Sequence, residues 1–231
     1  MAISYISSSS ADGSGTALSA TAPATILTGD VLVALVHLNN GVARTATDNN
    51  GSTPFTDSGM GLLDYNGNSA RYYIFYRVAG GSEPASYAWT ASTSDRWCLA
   101  IGCYRGVNTA SVFDVAPSGS TENEGTDASA SPFADTNALT TLSNGAMMIA
   151  FGMVDNAAFT FTATPGDSFN SRVNEAGQQL TGMADKLIPT IATQGSVSWT
   201  ATGGACATQV FSLKAATEAG LASLPLMGIG M

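Results

Sequence analysis

Large apolar side chains recur along this chain with a period of two, and helical periodicity is poor throughout, so the elements it predicts are strands. The clearest stretch spans residues 71–107 and reads RYYIFYRV (71–78), GGSEP (80–84), SYAWTAS (86–92) and RWCLAIGCYRGV (96–107). It predicts two aromatic strands joined by a turn-rich connection that carries a third. In the first strand Tyr72, Ile74, Tyr76 and Val78 share one face, and Arg71, Tyr73, Phe75 and Arg77 share the other. The first set suits a core. The second, mixing Tyr, Phe and Arg, reads as a semi-aromatic outer face of the kind enriched where surfaces meet. In the last strand Trp97, Leu99, Ile101 and Cys103 oppose the small residues Cys98, Ala100 and Gly102, which lets a neighbour pack close.

The run TGDVLVALVHL (28–38) follows a Gly-Asp turn and is apolar on both faces, the pattern of a central strand covered on both sides. GAMMIAFGMV (145–154) alternates large Met147, Ile149, Phe151 and Met153 with small Ala150 and Gly152. Residues 1–25 read as an N-terminal arm or edge strand whose serine run is extended and flexible in isolation. Residues 46–59 are too dense in Asp, Asn, Gly and Pro for an element and predict a long loop or paired tight turns. Residues 108–140 read as a long exposed acidic connection, and 171–186 as a short helix or another strand.

Trp89-Thr90-Ala91 recurs as Trp199-Thr200-Ala201, and Thr53-Pro54 as Thr164-Pro165. The motifs keep one order and nearly one spacing, which predicts pseudo-repeats over about 26–114 and 138–216. The fold expectation is therefore all-β: a double-layered antiparallel β-sandwich, jelly-roll-like, with an internal two-fold sequence repeat whose halves interleave. Residues 1–216 form one sandwich domain in this reading, and 217–231 an extended C-terminal assembly tail.

Composition narrows the function. A net charge of −9, from 17 acidic and 8 basic residues, argues against a nucleic-acid or anionic-membrane partner, which needs clustered Lys and Arg. The start, MAISYISSSS, lacks the features of a secretory signal, and no apolar run is long enough to span a membrane. Synthesis in a host cytoplasm is the expectation. Three cysteines without a CxxC motif give neither a disulfide framework nor a zinc site, and read as small buried residues, with a Cys98–Cys206 bridge as the minor alternative.

Chemistry finds little support. His37, the only histidine, sits in an apolar strand and reads as structural. Glu122, Glu124 and Asp127 lie in a loop rather than on rigid strands, which is poor support for a glycosidase pair. Asp48, Asn49 and Asn50 fit a turn better than a calcium loop. No GxSxG turn or phosphate-binding glycine motif is present. No catalytic residue, metal or cofactor is expected, and the chain is not read as an enzyme.

The last thirteen residues, AGLASLPLMGIGM, carry no charge and hold Leu221, Leu224, Leu226, Met227, Ile229 and Met231. Left in water they make an apolar strip that binds or aggregates. Pro225, Gly228 and Gly230 oppose a helix, so the tail is expected to be extended and docked. These six residues, with Tyr73 and Phe75, are the candidate assembly interface.

The order GDVLVALV, YYIFYRVAG, SEPASYAWTAS and CYRGV resembles a β-sandwich module recurrent in bacteriophage virion and tail proteins and in bacterial surface proteins. The likeness covers roughly residues 28–114, and the second half only through its Asn144-Gly145 and Trp199 strands. It departs at 52–55, where Thr-Pro-Phe replaces an expected Pro-Gly-Trp turn. The resemblance implies a structural or adhesive role, with no catalytic residues to carry over. A non-enzymatic virion component follows, a capsid-surface decoration or head-fibre type protein anchored through its termini. Its partners are other virion proteins of capsid or tail, or copies of itself. The alternative is a receptor- or glycan-binding tail-fibre module, in which Tyr65, Tyr73 or Trp89 stacks on sugar rings beside polar loops.

Overall fold

Apolar side chains fill both faces of residues 31–38, and the fold covers both. A computed structural model describes residues 2–39, 45–52, 54–58, 63–65, 70–118, 122–125, 138–154, 161–162, 168–177, 179–195, 197, 199–201 and 206–217, with backbone alone at 63–65, 122–125, 161–162 and 200–201. Its strands in the first half are β1 (Ser4–Thr21), β2 (Val31–Asn39), β3 (Ala46–Asp48), β4 (Thr56–Asp57), β5 (Leu63–Tyr65), β6 (Ala70–Val78) and β7 (Ser86–Arg105). Then follow β8 (Phe113–Val115), β9 (Glu122–Gly125), β10 (Leu139–Thr140), β11 (Ala146–Val154), β12 (Phe161–Thr162) and β13 (Asn170–Ala176). The last are β14 (Leu180–Ile188), β15 (Thr193–Gln194), β16 (Thr200–Ala201) and β17 (Cys206–Leu213). No helix occurs among the described residues.

All pairings are antiparallel and build two main sheets. The first runs β1-β7-β2-β6-β4, with β3 on β7 and β5 on β6; the second runs β13-β14-β11-β17-β8, with β9 on β17. Between them lies one shared interior, where Val33, Leu35, Ile74 and Tyr104 meet Met147, Ile149, Phe151, Met183 and Phe211. The all-β, antiparallel, two-layered expectation therefore holds. The interleaving does not, because the first half supplies every strand of the first sheet. Each sheet sets a nine-residue strand between two later ones: β2 lies between β7 and β6, and β11 between β17 and β14. That parallel concerns connectivity and does not establish the sequence repeat.

Several local expectations change. Residues 86–92 and 96–107 are not two strands but one, β7, whose partner β1 is an edge strand that holds the serine run in regular pairing. The β1–β7 register shifts between Gly15↔Asp95 and Ala17↔Thr90, and a bulge of this kind bends the ribbon. The bent-over part brings Leu18, Tyr87 and Trp89 into one cluster with Leu32, Val36, Leu99 and Ile101 on the outside of the first sheet. The supposed loop 46–59 includes β3 and β4, the connection 108–140 includes β8 and β9, and of the two readings of 171–186 the strand holds, as parts of the antiparallel pair β13–β14.

The outside of the second sheet is covered in the same manner, by Leu139, Phe169, Val197 and Trp199 over Met148, Ala150 and Val210. Gly152 is needed there. A Cβ at that position would lie 2.7 Å from Trp199 Cδ2, inside any tolerable contact.

Two edges tie the sheets together. On one, Ser8 Oγ donates to the Arg172 carbonyl at 2.9 Å, Ser10 Oγ donates to Glu175 Oε2 at 2.6 Å, and the Arg172 guanidinium sits 3.9 Å above the Tyr5 ring. On the other, Tyr76 meets Phe113 edge-on at 5.1 Å between ring centroids. The polar links fix the register of one sheet on the other, which apolar contact alone leaves loose.

Candidate functional site

The two ends of the sandwich differ in chemistry. At the far end, where β2 finishes and β14 begins, the interior turns polar. His37 and Cys98 are cross-strand neighbours, and His37 Nδ1 shares a hydrogen bond of 3.0 Å with Thr181 Oγ1 from the opposite sheet. Beside them the Tyr72 hydroxyl donates to Gln209 Oε1 at 3.0 Å, again across the two sheets. All five side chains are buried.

A cysteine beside a histidine invites a nucleophilic reading, but the environment opposes it. Reactivity needs a thiolate, favoured by a nearby cation and access to solvent. Burial instead pushes the Cys98 thiol up and holds His37 down at about 3, so both groups stay neutral near pH 7. The cluster acts as a polar pin between the sheets. Cys103 faces the other way, into the outer layer of the first sheet, and its thiol is pushed up to about 12, chiefly by burial. All three cysteines are buried and none is in a disulfide, so the Cys98–Cys206 bridge is absent.

The opposite end, called the base below, is where the chain enters and leaves the described body. Gly106 has φ of +83°, and a Cβ there would lie 2.8 Å from the Ala2 carbonyl oxygen. On its other side the Ala216 amide donates to the Gly106 carbonyl at 2.8 Å, and Val107 bridges Ala215. The first and last parts of the described chain thus flank one residue. Only glycine combines that backbone conformation with that clearance.

An ion pair braces the base. Arg105 donates from Nε to Asp30 Oδ1 and from Nη2 to Asp30 Oδ2, each at 2.8 Å, and the Leu27 amide donates to Oδ2 at 2.8 Å. Burial pushes the Asp30 carboxyl up, but the Arg105 hydrogen bond, the Leu27 amide and the Arg105 charge together outweigh it and hold the carboxyl below its ordinary value. Replacing Arg105 by methionine removes the two contributions that come from it and leaves the burial, opposed only by the Leu27 amide and the Cys103 thiol. The Asp30 titration midpoint, followed by carboxyl-carbon NMR, is expected to rise above that of the native chain. A midpoint that stays put would mean that Arg105 does not hold the carboxylate.

The candidate interface residues fare differently. Tyr73 and Phe75, expected on an outward face, are buried in the outer layer of the first sheet, stacked on each other at 5.9 Å, with Phe75 against Trp89. That reading is corrected: the face is semi-aromatic because the bent β1–β7 ribbon packs on it. Leu221, Leu224, Leu226, Met227, Ile229 and Met231 lie outside the described residues. Of the aromatic platforms for sugar, Trp89 is buried beside Phe55 as well, and the Tyr65 side chain lies outside the description. Asp48 and Asn50 form a turn, with Asn50 exchanging hydrogen bonds of 2.8 and 3.1 Å with the Ala88 backbone. The side chains of Glu122 and Glu124 and the whole of Asp127 are outside the described residues.

Neither the base nor the Asp30–Arg105 pair was anticipated from sequence. The signals were present, in the Gly29-Asp30 turn and the Tyr104-Arg105-Gly106 strand end, but nothing local says that these meet. No family model, curated protein or solved structure matches the chain.

Proposed function

We propose that this chain is a non-enzymatic structural protein of a bacteriophage virion. It is a capsid-surface decoration or head-fibre type component, with the sandwich as its exposed body and the base as its anchored end. The observation that carries this reading is the meeting of Ala2 and Ala216 at Gly106. A body whose two chain connections leave from one end offers that end for attachment and leaves the other free. The sequence adds an apolar segment, 219–231, that continues from the same end and engages a neighbour or the shell. The resemblance of residues 28–114 to virion sandwich modules points the same way.

The rest of the described body suits a scaffold. Its one histidine and three cysteines are buried. The glycan reading loses support from Tyr73 and Trp89, two of the aromatic residues offered as its platforms, because both are buried.

The test compares the full chain with one truncated after Thr217, by co-sedimentation with virus shells assembled without the protein. The full chain should bind shells, and the truncated chain should remain folded and lose at least tenfold in affinity. Equal binding by the two would remove the segment from the anchor. Failure of both to bind would remove the virion reading.

A further inference from the structure

The base also gathers apolar surface. All five exposed large apolar side chains among the described residues, Leu27, Val78, Leu142, Leu187 and Ile191, lie at this end, at or just beyond the start of β2 or β11 or the finish of β6 or β14. Two of them are held close together. The β10–β15 register, Leu139↔Gln194 and Thr140↔Thr193, is followed by the Thr141 amide donating to the Ala192 carbonyl at 3.1 Å and the Ala192 amide donating to Thr141 Oγ1 at 3.2 Å. Leu142 and Ile191 are the next residues along the two chains, at the end of this short ladder.

The exposure of this pair is built in. Asp114 accepts from the Leu142 amide at 2.7 Å and from Ser143 Oγ at 2.6 Å, while Asn144 Oδ1 accepts from the Ile191 amide at 2.9 Å. These bonds lock the turn and hold Leu142 68% and Ile191 55% exposed. A fixed apolar pair in water is a docking feature.

The chain's exit indicates what docks. Ala215 Cβ lies 3.5 Å from where a Cβ on Gly145 would stand, so the chain leaves the body beside the turn that carries Leu142. Beyond Thr217 come fourteen residues, which reach about 45 Å when extended. Thirteen of them, 219–231, are uncharged, and six of those are large and apolar. A segment tethered this close has an effective concentration in the millimolar range, above that of any free partner at micromolar concentration.

We propose that in the free subunit the Leu142–Ile191 surface is the seat of the chain's own C-terminal segment, residues 219–231. The segment lies on it as non-helical chain, because Pro225, Gly228 and Gly230 oppose a helix. Assembly then exchanges or releases a segment that is already sheltered. The inference concerns the free subunit and stands whether or not the segment later binds a shell.

The experiment places a photo-crosslinking residue at the exposed position, Leu142→p-benzoylphenylalanine, in the full chain at low micromolar concentration. Isotopically heavy and light chains are mixed in equal amounts before irradiation, and crosslinked peptides are read by mass spectrometry. A second probe, Ile191→p-benzoylphenylalanine, guards against a local effect of the first. Both probes are expected to capture residues 219–231, in heavy–heavy and light–light pairs only. Crosslinks that avoid 219–231 from both probes would overturn the inference. Heavy–light pairs making up half the product would overturn it too, by moving the segment onto a second copy while leaving the anchoring proposal intact. Same-chain crosslinks from a protein that never binds shells would sink the anchoring proposal alone.

Discussion

Replacing Gly152 by valine is expected to lower stability by about 3 kcal/mol, the upper part of the usual range for overfilling a packed core. The site explains the size of the effect. Gly152 lies on β11, the strand in the middle of the second sheet, and the Trp199 ring occupies the space that a Cβ would take. Backbone on a central strand has neighbours on both sides, so it does not move away cheaply. The ring would have to leave, and with it the cover over Met148, Ala150 and Val210. Trp199→Ala should itself cost about 3–5 kcal/mol. The two positions should be coupled: Gly152→Ala is destabilising in the native background and nearly neutral once Trp199 is alanine. Urea unfolding of the four chains measures this, and strict additivity would contradict the packing described.

The second large effect is acid sensitivity from His37. In the unfolded chain this imidazole takes up a proton near pH 6.5, whereas in the fold burial delays it to about pH 3. Between those values the unfolded state binds the extra proton, so this contribution to stability is complete above pH 6.5 and shrinks as the pH falls through the window. The slope is about 1.4 kcal/mol per pH unit, giving a loss on the order of 4 kcal/mol by pH 3. The neighbours do not cancel it. The groups that face the ring, Cys98 from β7, Tyr72 from β6 and Thr181 from β14, carry no charge over this range. Carboxylates elsewhere add their own acid dependence, so the comparison with His37→Gln isolates the ring. The variant should be less stable at pH 7, and its deficit should close as pH drops from 6.5 to 4. A deficit that stays constant over that range would mean that the ring is solvated or already charged.

How much of this was legible in the sequence depends on what each residue has to know. Strands such as β6 and β11 follow from local alternation, because one side chain in two must leave the sheet on each face, and β2 follows from an apolar run after a turn signal. What lies on a face does not follow. Tyr73 and Phe75 were placed correctly on the face opposite Tyr72 and Ile74, yet read as exposed, because the ribbon that covers them comes from β1 and the first part of β7. That ribbon was itself obscured: Ser92, Thr93, Ser94 and Asp95 look like a turn, and the structure uses them as the bulged bend of one continuous strand. A similar limit applies to the base. Asp30 and Arg105, or Ala2 and Ala216, meet only after two sheets have formed and stacked, so no window of sequence holds both members. Interleaving failed for a related reason. Apolar residues on both faces imply a cover on both faces, but that cover came from bent strands and short crossing segments instead of from exchange between the halves.

The central claim is that the base attaches and the far end projects, and single engineered thiols test it most directly. The native cysteines are fully buried, so they give a quiet background to thiol labelling. Ser111→Cys places an exposed thiol near the base, and Ser94→Cys places one at the far end. Both variants should label at similar rates as free subunits. After incorporation into virus particles, the Ser111→Cys thiol should be protected at least tenfold while the Ser94→Cys thiol reacts as before. Protection at Ser94→Cys with free reaction at Ser111→Cys would contradict the account.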